Sequence, residues 1–116
     1  MRPIAAPRGR LGKFGNRISY DQSGNRFDSK KELARWQELN LLLRAGEIKK
    51  LERQVPFVLS VNGIKICVYK ADFVFWERVD GGWAQTIEDV KGVRTAVYVL
   101  KKKLMLACLG LTITET

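Results

Sequence analysis

Histidine is absent from all 116 residues, which removes the imidazole ligands of zinc fingers and the general base of serine and cysteine triads. Cysteine is scarce. The two that occur, Cys67 and Cys108, lie far apart inside apolar segments, a setting that suits core filling better than a disulfide. No apolar run reaches the roughly 18 residues needed to span a bilayer, and no charged segment followed by an apolar one opens the chain. The expectation is a soluble cytoplasmic protein with no membrane partner. Acids are the minority charge, 12 against 21 Lys and Arg, for a formal net charge of +9. Such a balance favours a polyanionic partner, nucleic acid first. Any catalysis in this chain has to come from carboxylates, lysine and a hard metal ion.

A chain of this length, 46% hydrophobic, holds one compact core and not two. Residues 1–26 read as a flexible basic arm. They carry Arg2, Arg8, Arg10, Lys13 and Arg17 with no acid before Asp21, interrupted by Pro and Gly and without hydrophobic periodicity. An arm of this kind either orders on a phosphate backbone or only aids solubility. Residues 27–116 read as a single domain.

In "FDSKKELARWQELNLLLRAGE" a helix has its start and stop written in. Ser29 is an N-cap, Glu32 stands at the fourth position of an S-x-x-E capping box, and Gly46 follows the last apolar turn. Trp36, Leu39 and Leu43 make one stripe at helical spacing, with Glu32 at its head. "QVPFVLSVNGIKICVYKADFVFW" is rich in β-branched and aromatic residues around Asn62-Gly63, a strong hairpin signal. A second turn at "DGG", 80–82, returns "WAQTIEDVKG" as a third strand, for a meander from about Pro56 to Lys91. Val93, Val97, Leu100, Leu104 and Cys108 then recur at helical spacing up to Gly110, and "LTITE" offers a short final strand. The order is αβββαβ, an α/β fold with a small mixed sheet flanked by helices. Val97, Leu100 and Leu104 are expected to pack on the sheet, leaving Lys101, Lys102 and Lys103 mostly toward solvent as a basic ridge.

On a strand, residues two apart share a face, so Asp89 and Lys91 project together and Val90 away from them. The triplet alone is weak, since "DSK" and "EIK" repeat it elsewhere. Context strengthens it. Asp72 interrupts an apolar run on the preceding strand, and an acid on each of two neighbouring strands can share one hard cation. Two buried carboxylates are costly unless compensated. The competing reading is an exposed Asp72 and a simple Asp89–Lys91 ion pair.

Glu32 on the first helix, Asp72 after a hairpin, and Asp89-Val90-Lys91 before a second helix resemble the PD-(D/E)xK nuclease core, over roughly residues 27–115. More narrowly, "FDSKKE", "LERQVPF", "ADF" and "EDVKGVRT" resemble a group of small phage-encoded members similar to the endonuclease I type of junction-resolving enzyme. Ala71 stands where the name has proline, and Glu88 is an alternative acid, although alternation turns it away from Lys91.

The resemblance implies a restriction-endonuclease-like core and Mg²⁺, with Mn²⁺ as substitute, held by Asp72, Asp89 and the Val90 carbonyl. Glu32 completes the site directly or through water, unless capping is its whole role. Lys91 orients the attacking water and stabilises transition-state charge. Gln54 either hydrogen-bonds near the site, as a polar residue does there in similar nucleases, or is an ordinary exposed strand start. Arg94 meets a phosphate at a helix N-terminus, while Lys101, Lys102, Lys103 and the arm residues Arg8, Arg10, Lys13 and Arg17 contact the backbone without reading bases. Trp36, Trp76 and Trp83 are read as core or rim residues. The function implied is a Mg²⁺-dependent endonuclease on branched DNA, of the Holliday-junction resolvase type used in DNA recombination. A homodimer would make its two symmetric cuts, in the host cytoplasm if the chain is phage-encoded. The alternatives are a less structure-selective nicking or recombination nuclease, a nuclease-like fold that binds nucleic acid without cutting it, and a basic assembly protein.

Overall fold

The computed structural model describes residues 18–91 and 94–116. Arg8, Arg10, Lys13 and Arg17, assigned above to a DNA-contacting arm, lie outside the described residues, as does Val93. The chain divides into two compact units, the first ending at Glu38 and the second comprising Leu39–Thr116.

In the first unit β1 (Ser19–Tyr20) pairs antiparallel with β2 (Arg26–Phe27). Residues 18–26 were expected to end the arm, and they form a hairpin instead. The cause is Asp21, whose carboxylate accepts from the Ser23 N–H at 2.9 Å, the Asn25 N–H at 2.8 Å and the Asn25 amide at 2.9 Å. This Asx-type turn closes the loop. Trp36 adds its indole N–H at 3.2 Å, and its ring lies 6.2 Å from that of buried Phe27. Together these contacts hold the Asp21 carboxyl below its ordinary range, with the Asn25 side-chain bond the largest cause.

Helix α1 (Lys30–Arg44) begins and ends as its caps predict. The Ser29 hydroxyl accepts from the Glu32 N–H at 3.1 Å. At the other end Gly46 takes φ 78°, and the N–H groups of Gly46 and Glu47 bond to the carbonyls of Leu43 and Leu42, a Schellman stop. Of the expected stripe, Leu39 is fully buried and Trp36 half-buried, whereas Leu43 is exposed.

The second unit contains a mixed four-stranded sheet in the order β3-β4-β5-β6, built from β3 (Ile48–Val61), β4 (Ile64–Val79), β5 (Gly82–Asp89) and β6 (Thr114–Glu115). The fold is α/β, with two helices in the chain order αβββαβ once the small hairpin is set aside. Asn62 and Gly63 turn β3 into β4 with φ of 51° and 77°, the doubly left-handed geometry that makes Asn-Gly the favoured pair. Strand β3 starts at Ile48, eight positions before the expected Pro56. Its first half is a charged edge strand, and edge position is what tolerates Lys49, Lys50, Glu52 and Arg53. The parallel β5–β6 pair requires a crossover, which α2 (Ala96–Leu109) supplies.

Helix α2 starts three residues later than its apolar pattern suggested. Thr95 caps it by accepting from the Tyr98 N–H at 3.1 Å, and Gly110 ends it in the left-handed region at φ 68°. The buried face also differs from the expected one: Tyr98 and Met105 are buried, while Val97 and Leu100 are 62% and 56% exposed. Leu104 and Cys108 lie at the margin of the core. The helix is apolar nearly all round, so its periodicity alone does not select the face. The core of this unit joins Tyr98 and Met105 to Leu59, Tyr69, Ala71, Val74, Ile87 and Ile113, each large side chain contributing about 1.5–3 kcal/mol by leaving water. Cys67 and Cys108 are free thiols packed against it. No helix among the described residues is long and apolar enough to cross a membrane.

Candidate active site

The last residue pair of the β4–β5 ladder is Phe73 with Glu88. Asp72 and Asp89 are therefore the next residues on two adjacent strands, where the sequence spacing put them. On its other side Asp89 is paired with Glu115 of β6, and the chain beyond is held in the same extended path. The Thr116 N–H donates to the Asp89 carbonyl at 3.0 Å and the Lys91 N–H to the Thr116 carbonyl at 3.1 Å. Extended backbone keeps positions 89 and 91 on one side, and the Lys91 ammonium lies 3.1 Å from Asp89 Oδ1.

Asp89 is buried, and an ionised carboxylate away from water needs both charge compensation and hydrogen bonds. It has both. Tyr69 donates its hydroxyl to Asp89 Oδ2 at 2.5 Å, opposite the Lys91 contact. Burial first, and then this bond to Asp89, push the Tyr69 hydroxyl far above the ordinary phenol range, so it stays a donor at any working pH. Tyr69→Phe keeps the ring and removes the donor. It is expected to lower stability by about 1–3 kcal/mol, the cost of an unsatisfied buried acceptor, as read from urea unfolding.

Asp72 is half-buried and held in two places. The Val90 N–H donates to its Oδ2 at 2.9 Å and Gln54 Nε2 lies 3.5 Å from its Oδ1. Gln54 is thus beside the site rather than an ordinary strand start. It adopts φ 56°, a left-handed conformation that a non-glycine residue keeps only where its surroundings impose it. Glu88 is turned elsewhere, fully buried, and accepts the Thr116 hydroxyl at 3.4 Å. Of the two candidate acids, Asp89 is the one beside Lys91.

A second layer lies behind Lys91. Its ammonium sits 3.7 Å from the centre of the Tyr98 ring. The Tyr98 hydroxyl donates to Glu115 Oε2 at 2.8 Å, and the same oxygen takes Lys102 at 2.9 Å and Arg94 at 3.3 Å. Lys102 is accordingly no free member of a basic ridge, because its ammonium is turned toward Glu115 of β6. Lys101 is half-buried, Lys103 is exposed, and Arg94 is largely exposed. Sequence reasoning passed over Tyr69, Tyr98 and Glu115, the last of which is brought beside Asp89 by the parallel β5–β6 register. Lys102, then Tyr98, hold the Glu115 carboxyl below its ordinary value of 4.5. A depressed folded value gives stability that is full above pH 4.5 and lost as pH falls through the folded value. Glu115→Gln is expected to flatten that acid limb in pH-dependent unfolding.

The hard oxygen donors are the carboxylates of Asp72 and Asp89, to which the resemblance adds the carbonyl of Val90, whose N–H bonds Asp72. This set fits Mg²⁺, which takes one or two carboxylates and fills its remaining positions with water and substrate phosphate. Each engaged carboxylate oxygen keeps a lone pair. No group of three or more His, Cys, Asp or Glu side chains able to hold a metal occurs among the described residues. Glu32 belongs to the first unit, where it is buried at the third helical position behind its Ser29 cap. The tryptophans are half-buried, as expected of rim residues. Trp83 lies 4.4 Å under the Lys49 ammonium and 5.0 Å from the Arg78 guanidinium.

The chain belongs to the family described as "Protein of unknown function (DUF1064)", which matches residues 13–109. No curated protein matches the chain, and no solved structure does.

Proposed function

We propose that this family member is a metal-dependent DNA endonuclease of PD-(D/E)xK type that hydrolyses phosphodiester bonds in branched DNA, as a Holliday-junction resolvase does. The observation that carries the reading is a buried aspartate, Asp89, ion-paired to Lys91 at a strand end beside Asp72. Burying such groups is a poor way to gain stability, since apolar residues of similar volume serve as well or better. A non-glycine residue held at positive φ next to them adds to the case, because such strain gathers at functional sites.

In the reaction a water oxygen bonds to phosphorus while one phosphorus–oxygen ester bond breaks, the water giving up a proton and the departing sugar oxygen gaining one to leave as a hydroxyl. Asp72, Asp89 and the Val90 carbonyl would hold a divalent ion, which would supply Lewis-acid polarisation and lower the pKa of water near the phosphate. The chain's own part is placement. The Val90 N–H fixes the Asp72 carboxylate, Tyr69 fixes that of Asp89, and Lys91 presents a compact positive charge to the phosphoryl oxygens as their charge grows. Arg94, Lys101 and Lys103, with Arg8, Arg10, Lys13 and Arg17, hold the DNA backbone. Two cuts across a junction call for two such sites and hence a homodimer, acting in the cytoplasm, of the host if the chain is phage-encoded.

One observation favours a second reading, a protein that binds nucleic acid on this fold without cutting it: Asp72 and Asp89 already find donors for all four carboxylate oxygens within the chain. Labelled four-way junction, flap, duplex and single strand, each incubated with Mg²⁺, Mn²⁺ or EDTA, separate the two. Metal-dependent scission of the junction supports the enzyme. Tight binding with no product in either metal supports the second reading. Glu32→Gln in the same panel shows whether that acid belongs to the chemistry or only to the helix cap.

A further inference from the structure

We infer that Tyr98 is a positioning residue for Lys91: its ring is the platform on which the ammonium rests, and Glu115 holds that ring in place through the hydroxyl. The catalytic consequence rests on the nuclease reading; the placement itself does not.

Lysine reaches its charge through a flexible four-carbon stem, so an ion pair by itself leaves many positions open to an ammonium. The Tyr98 ring narrows them. At 3.7 Å from the ring centre, Lys91 Nζ is well inside the range over which a cation is attracted to an aromatic face. It is therefore held between a carboxylate on one side and a π-face on the other.

The ring is held in turn. Tyr98 occupies the first turn of α2, its N–H bonded to the Thr95 cap at 3.1 Å. Its hydroxyl donates to Glu115 at 2.8 Å, and its ring lies 6.4 Å from that of Tyr69. Glu115 is tied by Lys102 and Arg94 from the helix side and by β6 pairing opposite Asp89 from the sheet side. Burial and the Glu115 bond push the Tyr98 hydroxyl above the ordinary phenol range, so it remains a donor to that carboxylate. Asp89 and the platform for Lys91 are thereby registered to each other by one short strand. A purely structural tyrosine would need the packed ring, but it would not need a lysine ammonium over its face.

The test compares Tyr98→Leu with Tyr98→Phe in the full chain, with folding checked by circular dichroism. Tyr98→Met replaces the leucine variant if that one does not fold. The first readout is the proton shift of the Lys91 ε-methylene, assigned by its loss in Lys91→Arg. A ring current should move it upfield in the unmodified chain and in Tyr98→Phe, but not in Tyr98→Leu. The second readout is junction cleavage. With the platform gone, kcat should fall roughly 3- to 30-fold with KM unchanged, the range of a partly desolvated cation–π contact. Tyr98→Phe, which keeps the ring but loses the Glu115 bond that holds it, should recover part of the loss. An upfield shift that survives in Tyr98→Leu overturns the inference. So does a folded Tyr98→Leu with full kcat, or a Tyr98→Phe as impaired as Tyr98→Leu. If the unmodified chain cuts no substrate, the nuclease reading fails separately, and the methylene shift alone decides where Lys91 rests.

Discussion

Lys91→Ala is expected to slow single-turnover junction cleavage by about 10²–10³-fold, the loss seen when one preorganised charge or donor is taken from a transition state. Junction affinity at low salt should change little, since one phosphate contact among many is lost. Alanine also strips the ammonium from Asp89, which is 3.1 Å away and buried, so part of the effect passes through a disturbed carboxylate. Lys91→Arg separates the two contributions. It keeps a positive charge for the ion pair and can still stack on the Tyr98 face, but it replaces a compact point charge with a larger planar fork whose charge is spread over three nitrogens. The arginine variant is expected to unfold at nearly the urea concentration of the unmodified chain while losing most of the cleavage rate. Equal rates for lysine and arginine would mean that the ammonium's position is irrelevant.

DNA affinity should collapse with salt. A protein that neutralises about six to ten phosphates loses about 10³–10⁵ in affinity between roughly 50 and 200 mM monovalent salt. The excess of 21 basic over 12 acidic residues gives this chain the means to make that many contacts. The lysines of α2 are not equivalent in this respect. Lys103 is exposed, and Lys103→Ala should lower the slope of log affinity against log salt by about 1. Lys102 is committed to Glu115 at 2.9 Å, so Lys102→Ala should change the slope less and the acid stability more. Fluorescence anisotropy with a labelled junction in EDTA, over a salt series, measures both slopes. A flat salt dependence would remove backbone contacts as the basis of binding.

The parts of this fold that could be read from sequence are those fixed by neighbours in the chain. Asn62-Gly63 supplies left-handed backbone where a tight hairpin needs it. Ser29 and Gly46 cap α1 by bonds spanning three to five residues. Asp89 and Lys91 face the same way because a strand alternates. What escaped was fixed from a distance. Two stripes of α2 are apolar, Val97 with Leu100 and Tyr98 with Met105, and no count of spacing chooses between them. The choice follows from the Thr95 cap and from Glu115, which accepts the Tyr98 hydroxyl across the parallel β5–β6 register.

The candidate site divides along the same line. Asp72 in an apolar run was visible because an acid there contradicts its surroundings. Tyr69 was not, because a tyrosine on an apolar strand looks like any core aromatic until its hydroxyl is seen on Asp89. The left-handed backbone of Gln54 left no mark in its composition. Strand β3 hid its first half for a similar reason, since charged residues on an edge read as loop.

The most direct test of the proposed shared cation site is a Mn²⁺ titration followed through backbone amide resonances. Paramagnetic broadening should appear first at Asp72, Asp89 and Val90, and it should vanish from all three in Asp72→Asn and in Asp89→Asn while both variants stay folded. Broadening centred on other acidic residues, or unchanged in the two asparagine variants, would contradict the assignment of these carboxylates to a common metal.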